Sequence, residues 1–352
     1  MKHPFMSVVV ITHNGATSIE RAIDSIRRQS YSRAHYEIIV IDDGSTDNTA
    51  AIVKKYHDVR LVSLMPNRGI PGARNAGLEV AKGDIYVGFD DDCVADQHWL
   101  ARLAEAYQAH PTATGIGGEL VDPTAAQGLS DLYVSARDSD TARLASPNSQ
   151  VKPNIFQRLG RYFMQRPGGQ EFSRRTTPFE VEELYGANSS FPMTVLKQVG
   201  GWRKGMNSIE DRDLCRRIKK VYPDRPFVVI PAATIMHERG QNLWDYLRRQ
   251  YKQGPYNFFF YHVHRQLPPL FPLPIAYSGI TLLAGFINFW LVPVMLVVLP
   301  VVLYFWWAWQ AVAQHRPVYI CFAYIQLAEE VLVIVGLLRG LSWRIRRKLI
   351  YA

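Results

Sequence analysis

The sequence predicts an α/β fold, a mostly parallel sheet with helices on both faces, followed by a C-terminal membrane region. Three observations carry this. From Met6 to about Leu120, short β-branched runs alternate with segments of helical period. Those runs are apolar throughout rather than at every second position, as in strands covered on both faces. Further on, Leu273–Trp309 contains no charged residue at all.

The elements follow in order. "SVVVIT" reads as the first strand, and Ser18–Gln29 as a helix with Ile19, Ala22, Ile23 and Ile26 on one face. "YEIIVID" is the second strand, Thr49–Tyr56 a helix and "VRLVSL" the third strand; a helix over Ala73–Ala81 and the strand "DIYVGF" follow. In such sheets ligands bind outside the carboxyl ends of the strands. Here those ends carry Thr12-His13-Asn14, Asp42-Asp43-Gly44-Ser45 and Asp90-Asp91-Asp92, three polar clusters on one rim. Residues 121–240 are less regular and include the basic, aromatic "NIFQRLGRYFMQRPGGQEFSRR". In "SIEDRDLCRRIKK", Ser208 is placed to cap a helix that opens on Glu210 and Asp211 and ends in basic residues.

The C-terminal stretches have the length of membrane spans, which need about 20 apolar residues. Leu273–Trp309 is long enough for one tilted helix or a tight hairpin, although Pro293 and Pro300 interrupt it. Val318–Leu338 is a weaker span, because Glu329-Glu330 sits in its middle. Arg239, Arg248, Arg249, Lys252 and Arg265 precede the first stretch and "RIRRK" closes the chain. Basic flanks on both sides place both on the cytoplasmic face, so the expectation is a multi-pass protein of the cell (inner or plasma) membrane with an even number of crossings. The N-terminal apolar run is too short for a signal peptide, so the α/β part is expected in the cytoplasm.

Composition narrows the class. The net charge of +9 gathers beside the apolar stretches, an arrangement that speaks for a membrane partner and against nucleic acid. The cysteines Cys93, Cys215 and Cys321 have no paired spacing, so neither a disulfide framework nor a zinc site is indicated.

Three adjacent carboxylates repel one another, and the end of a strand on a polar rim is a suitable place to hold a hard divalent cation, Mg2+ or Mn2+. An Asx-type turn that caps the next helix is the plain reading of Asp42-Asp43-Gly44-Ser45, and these carboxylates can equally accept a base N–H. Arg74, in "NRGIPGARNAG", lies near the acidic clusters, as a contact to base, ribose or phosphate would. A helix-opening Asp211 is also what the macrodipole alone favours.

Taken in order, "SVVVITHN", "IVIDDGSTDNT", "NRGIPGARNAG", "GDIYVGFDDDC", "GAN" and "IEDRDLCRR" resemble family 2 glycosyltransferases over about residues 6–240. The resemblance implies the GT-A fold, a Rossmann-like mixed, mostly parallel sheet, and a metal-dependent, inverting enzyme of the hexosyltransferase type. It implies that Thr12, Asn14 and Asp42 or Asp43 line the nucleoside pocket of a nucleotide-sugar donor, expected to be a UDP-sugar, with Arg74 nearby. Asp90 and Asp91 would face ribose and diphosphate, and Asp92, the last acid of the DxD motif, would bind metal together with Asp90. His237 would add a third metal ligand. Asp211 would be the catalytic base, with Glu210 and the aromatic Trp202 on the acceptor side. The chain then divides into a glycosyltransferase domain over 1–240 (a nucleotide-sugar half 1–120, an acceptor half 121–240), an interfacial segment 241–272 and a membrane region 273–352.

The expected acceptor is lipid-linked or a saccharide, in envelope polysaccharide or glycoconjugate assembly. Processive members of the family carry a Gln-x-x-Arg-Trp motif; here the region reads "LRRQYKQGPYNFFF" without Arg-Trp, which favours transfer of one sugar over a processive polysaccharide synthase. A catalytically inactive, membrane-tethered scaffold is the alternative from another class, but the acid triplet and the Glu-Asp pair are both present.

Overall fold

A computed structural model describes residues 3–121, 129, 133, 176–237, 242–269 and 271–351, with side chains as far as residue 342. The "NIFQRLGRYFMQRPGGQEFSRR" segment lies outside the described residues. Those that are described fall into two compact units.

The first unit is built on a nine-stranded sheet ordered β3-β2-β1-β4-β8-β6-β9-β5, with β7 on β9. Its strands are β1 (Met6–Thr12), β2 (Tyr36–Asp42), β3 (Val59–Ser63), β4 (Ile85–Asp90), β5 (Cys93–Ala95), β6 (Gly115–Val121), β7 (Phe179–Val181), β8 (Ser189–Pro192) and β9 (Phe227–His237). The first four run parallel, and their register brings Thr12 opposite Asp42 and Ile11 opposite Asp90, so the polar strand ends share one rim. β8 then pairs antiparallel with β4 and β6, which makes the sheet mixed.

Successive side chains of a strand point to opposite faces. Val8, Val10, Val87 and Phe89 therefore pack on one side with Ile19, Ile23, Trp99 and Leu103, from helices α1 (Ile19–Arg27) and α4 (Trp99–Ala109). On the other side Val9, Ile39 and Tyr86 meet Ala73, Leu196, Leu214 and Ile218. These come from α3 (Gly69–Val80), α5 (Met193–Val199) and α6 (Glu210–Val221). Two apolar layers explain why the strands carry no polar face.

Helix ends differ from the sequence reading. α2 covers only Thr49–Val53, because its last turn tightens: Lys55 N bonds Ile52 O and Tyr56 N bonds Val53 O, three residues back. α3 opens four residues early, at Gly69, since Pro71 falls in the first turn, where no N–H is needed. Ile209, not Ser208, occupies the N-cap of α6, with no side-chain cap bond.

The second unit contains α7 (Leu243–Val263), α8 (Pro272–Ile287), α9 (Leu291–Leu303), α10 (Phe305–Ala313) and α11 (Tyr319–Tyr351). The uncharged stretch Leu273–Trp309 is neither one tilted helix nor a simple two-helix hairpin. It breaks at Asn288, whose Oδ1 accepts the Trp290 N–H, and again at Tyr304, where α9 and α10 meet at 67°. Among the described residues the single unbroken helix long and apolar enough to cross a membrane is Tyr319–Ser342, the one with the glutamates. Multi-pass topology therefore lacks support; the count reaches two only if the bent pair forms one span. Glu329 and Glu330 are buried, accepting hydrogen bonds from Tyr133 Oη (2.7 Å) and Tyr304 Oη (2.9 Å), so they face protein.

α7 and α11 touch through backbone: a Cβ on Gly336 would lie 2.8 Å from the Gly254 Cα. Gly336→Ala is expected to cost about 1–3 kcal/mol through overpacking and to lower the melting temperature. Gly279→Ala, whose Cβ would meet open space, should leave it unchanged or slightly raised. Equal melting temperatures for the two variants would contradict this packing.

Candidate active site

The chain leaves β4 at Asp90 and enters β5 at Cys93, so the acid triplet is the crossing between two parts of the sheet. Each acid turns to a different partner. Asp90 Oδ1 lies 3.5 Å from Arg74 Nη2, an ion pair without hydrogen-bond geometry. Asp91 Oδ2 accepts the Thr12 hydroxyl. Asp92 Oδ2 lies 3.0 Å from His237 Nε2, 145 positions away in sequence. Burial raises Asp91 to about 6, with the Thr12 bond opposing and the neighbouring acids adding. Burial likewise raises Asp90, against the pull of Arg74. At Asp92 burial acts the same way, but the His237 hydrogen bond and charge outweigh it and hold the carboxyl below its usual range.

Arg74 is the second focus. Its side chain is 6% exposed and sits among Asp90, Glu210 (3.6 Å) and Asp211, the last bonded directly to Nη1. Burial opposes its charge, yet Asp211, Glu210 and Asp90 together keep the guanidinium firmly protonated. The second oxygen of Asp211 accepts the Gly186 N–H at 2.8 Å. A Cβ there would collide with the guanidinium, which its three carboxylate partners hold in place. Glu210 is buried, and burial together with Asp211 raises its carboxyl to about 8 despite Arg74. Asp213 is excluded as a base: fully buried, its oxygens bind Arg203 Nε (3.1 Å) and Arg217 Nε (2.7 Å).

Two candidate residues turn to protein partners. The donors of Arg74 face carboxylates. Trp202 is the second. It is buried, tilted against Tyr86 at 5.0 Å, with its backbone N–H and C=O both held by the Asn75 side chain at 2.8 Å.

On the opposite part of the rim Asp42 Oδ1 accepts Ser45 N (2.9 Å) and Asp43 Oδ1 accepts Arg68 N (2.7 Å). Asn14, at φ 58°, accepts Thr46 N on its Oδ1 (2.8 Å) and stitches the β1 loop to the β2 loop. Three participants were given no role by the sequence reading. Asn67 donates to the Asp43 carbonyl at 2.8 Å, His13 Nδ1 lies 3.0 Å from the same oxygen, and a Cβ on Gly15 would overlap Asp91 Oδ2. The signal for Asn67 was its place in "NRGIPG"; Gly15 had none beyond following Asn14.

Residues 7–124 match the family model described as glycosyl transferase family 2. The chain carries a family 2 glycosyltransferase domain. Glycosyltransferase AglE of Haloferax volcanii is 32% identical over 122 residues, covering 34% of this chain and 38% of that protein. Glucosyl-dolichyl phosphate glucuronosyltransferase of the same organism is 27% identical over 225 residues, covering 60% and 63%. The chain thus spans less than two thirds of the length of these relatives. The mannosyltransferase PcManGT of Pyrobaculum calidifontis, solved with GDP-Man and Mn2+, superposes with a TM-score of 0.56 at 20% identity, covering 96% of this chain and 87% of that one. The fold of the glycosyltransferase domain is GT-A. Its family match includes Arg74 and the acid triplet, whereas Glu210, Asp211 and His237 lie beyond it.

Glu210 makes the first unit sensitive to pH in a defined direction. Its folded pKa of about 8 exceeds the usual 4.5, so between those values the folded chain keeps a proton that the unfolded chain has lost. Stability therefore falls as pH rises through that window. Glu210→Gln cannot ionise, and its melting temperature relative to the parent should climb from about pH 5 to about pH 9. A difference that stays flat over that range would refute the buried-acid assignment.

Proposed function

We propose that this chain moves a hexosyl group, with inversion, from a nucleotide-sugar donor to a lipid-linked or saccharide acceptor, using Mn2+ or Mg2+. The observation that carries this is the splitting of the acid triplet. One end faces His237, where a diphosphate's charge can be met; the other faces Arg74 and the Glu210-Asp211 pair, where a hydroxyl can lose its proton.

Asp92 and His237 are assigned the metal. The pairing of a carboxylate oxygen with an imidazole nitrogen fits a divalent cation, and Asp90, whose Oδ1 has no hydrogen-bond donor, is assigned beside them. Mg2+ holds its waters and takes few protein ligands, so the imidazole favours Mn2+. Bound there, the cation supplies Lewis-acid neutralisation of the departing nucleoside diphosphate. Thr12, Asn14, Asp42 and Asp43 are assigned to the nucleoside, and Asp91 to the ribose and diphosphate side; a UDP-sugar is the proposed donor.

Asp211 is assigned as base. Its side chain is 28% exposed against 6% for Glu210, so a hydroxyl can approach a free lone pair of Asp211 while Arg74 and Gly186 hold the carboxylate in place. Arg74 also gives the Asp211 carboxylate an adjacent positive charge, bonded directly to Oδ1. Attack by that hydroxyl on the anomeric carbon, in one displacement, inverts the centre.

The acceptor assignment draws on the dolichyl phosphate in the name of one relative and on the apolar C-terminal helices. The proposed location is a cell membrane, with Tyr319–Ser342 as anchor and the glycosyltransferase domain in the cytoplasm.

The test is a panel of UDP- and GDP-sugars with Mn2+ and polyprenyl phosphates, scored by release of nucleoside diphosphate and by the lipid product. Asp211→Asn should lower turnover about 10²- to 10⁴-fold while donor binding persists. Asp92→Asn should abolish metal-dependent donor binding. Full turnover in Asp211→Asn would end the base assignment, and a panel with no product at all would end the reading.

A further inference from the structure

None of these roles uses Cys93, yet its thiol lies beside the residues assigned to the metal. β5 runs antiparallel to the end of β9, with Cys93 directly opposite His237. Directly opposed residues project to the same face of a sheet, with their Cβ atoms about 4.5–5.5 Å apart. Asp92 completes the group: its Oδ1 is 3.7 Å from Cys93 Sγ and its Oδ2 is 3.0 Å from His237 Nε2. One oxygen, one sulfur and one nitrogen donor all lie within 4.8 Å of one another.

A hard cation has no use for the sulfur, whereas zinc takes thiolate, imidazole and carboxylate in a tetrahedron with bonds of about 2.0–2.3 Å. Closing the three donors around one ion is a small side-chain movement. We propose that Asp92, Cys93 and His237 form a site for a thiophilic divalent cation, Zn2+ or Cd2+, with the fourth position left to water. On binding, Cys93 Sγ gives its proton to solvent and forms the metal–sulfur bond, so one proton is released per ion. Asp92 and His237 cannot serve two ions together, and Zn2+ therefore displaces the hard cation. The inhibition of transfer that follows rests on the proposed function; the binding itself does not.

The experiment uses the full metal-free chain in detergent, without donor or acceptor. Co2+, a coloured stand-in for Zn2+, should give the near-ultraviolet thiolate-to-cobalt charge-transfer band, which Zn2+ then removes. Cys93→Ser and Cys93→Ala should both lose the band and weaken Zn2+ binding by calorimetry at least about tenfold, the lower end of what even an outer-shell change costs. Mn2+ binding by these variants should stay within about threefold of the parent. His237→Ala should lose the band too, which separates Cys93 from Cys215 and Cys321. Unchanged metal-free melting temperatures show that the variants fold; if Cys93→Ser does not, Cys93→Ala decides. A parent without the band, or Cys93 variants that retain it or bind Zn2+ as tightly, overturns the proposal. Absence of glycosyl transfer in the donor panel would leave this result standing.

Discussion

The site depends on one buried cation. Arg74 reaches from α3 to carboxylates on two other elements, Asp90 at the end of β4 and Glu210 and Asp211 at the start of α6. Three carboxylates packed without it would repel one another, and a buried guanidinium without them would carry a desolvation penalty of several kcal/mol. Each makes the other tolerable. Charge still does not balance, one cation against three acids, and the raised carboxyl of Glu210 relieves the excess by holding its proton. Gly186, Tyr86 and Trp202 then follow as consequences. Gly186 leaves room for the guanidinium and donates to Asp211, while Tyr86 and Trp202 wall the cluster with rings 5.0 Å apart.

The same logic answers why a buried strand runs straight into three acids. Neighbouring side chains leave the backbone in different directions, and here each finds its own partner: a guanidinium, a hydroxyl and an imidazole. The triplet is a junction with three separate connections. Because Asp90 and Asp92 are only two residues apart, the Arg74 cluster and the His237 cluster are held in fixed relation by the covalent chain. A loop with the acids spread more widely would lose that.

The strands and the faces of the first helices were legible in the sequence because their causes are local. Apolar runs mark β1, β2 and β4, and the spacing of Ile19, Ala22, Ile23 and Ile26 marks the buried face of α1. The candidate site residues could be named from the sequence by type and position, but not their partners. Arg74 and Asp211 are 137 positions apart, and no local pattern says that a rim arginine turns inward to a helix start. Likewise nothing local in the sequence says that Trp202 packs on Tyr86 and is held by Asn75. In the second unit, hydropathy alone ranked the uncharged stretch above the one with two glutamates. The breaks at Asn288 and Tyr304 reversed that order, and the hydrogen bonds to Glu329 and Glu330 show those acids satisfied inside protein, where they need not meet lipid.

The local and non-local parts of the sheet overlap in the chain. Residues 7–124 contain the four parallel strands and their rim, and also β5 and β6, whose partners lie further on. β8 inserts between β4 and β6, and β9 returns to hold β5, so neighbours in this half of the sheet come from distant parts of the chain. Asp211 and His237 both lie in this second part, and each bonds a residue of the first: Asp211 bonds Arg74 from helix to helix, and His237 bonds Asp92 at the sheet's rim. Asp211 and His237 could be named from the sequence, but their partners emerge only once the chain is folded.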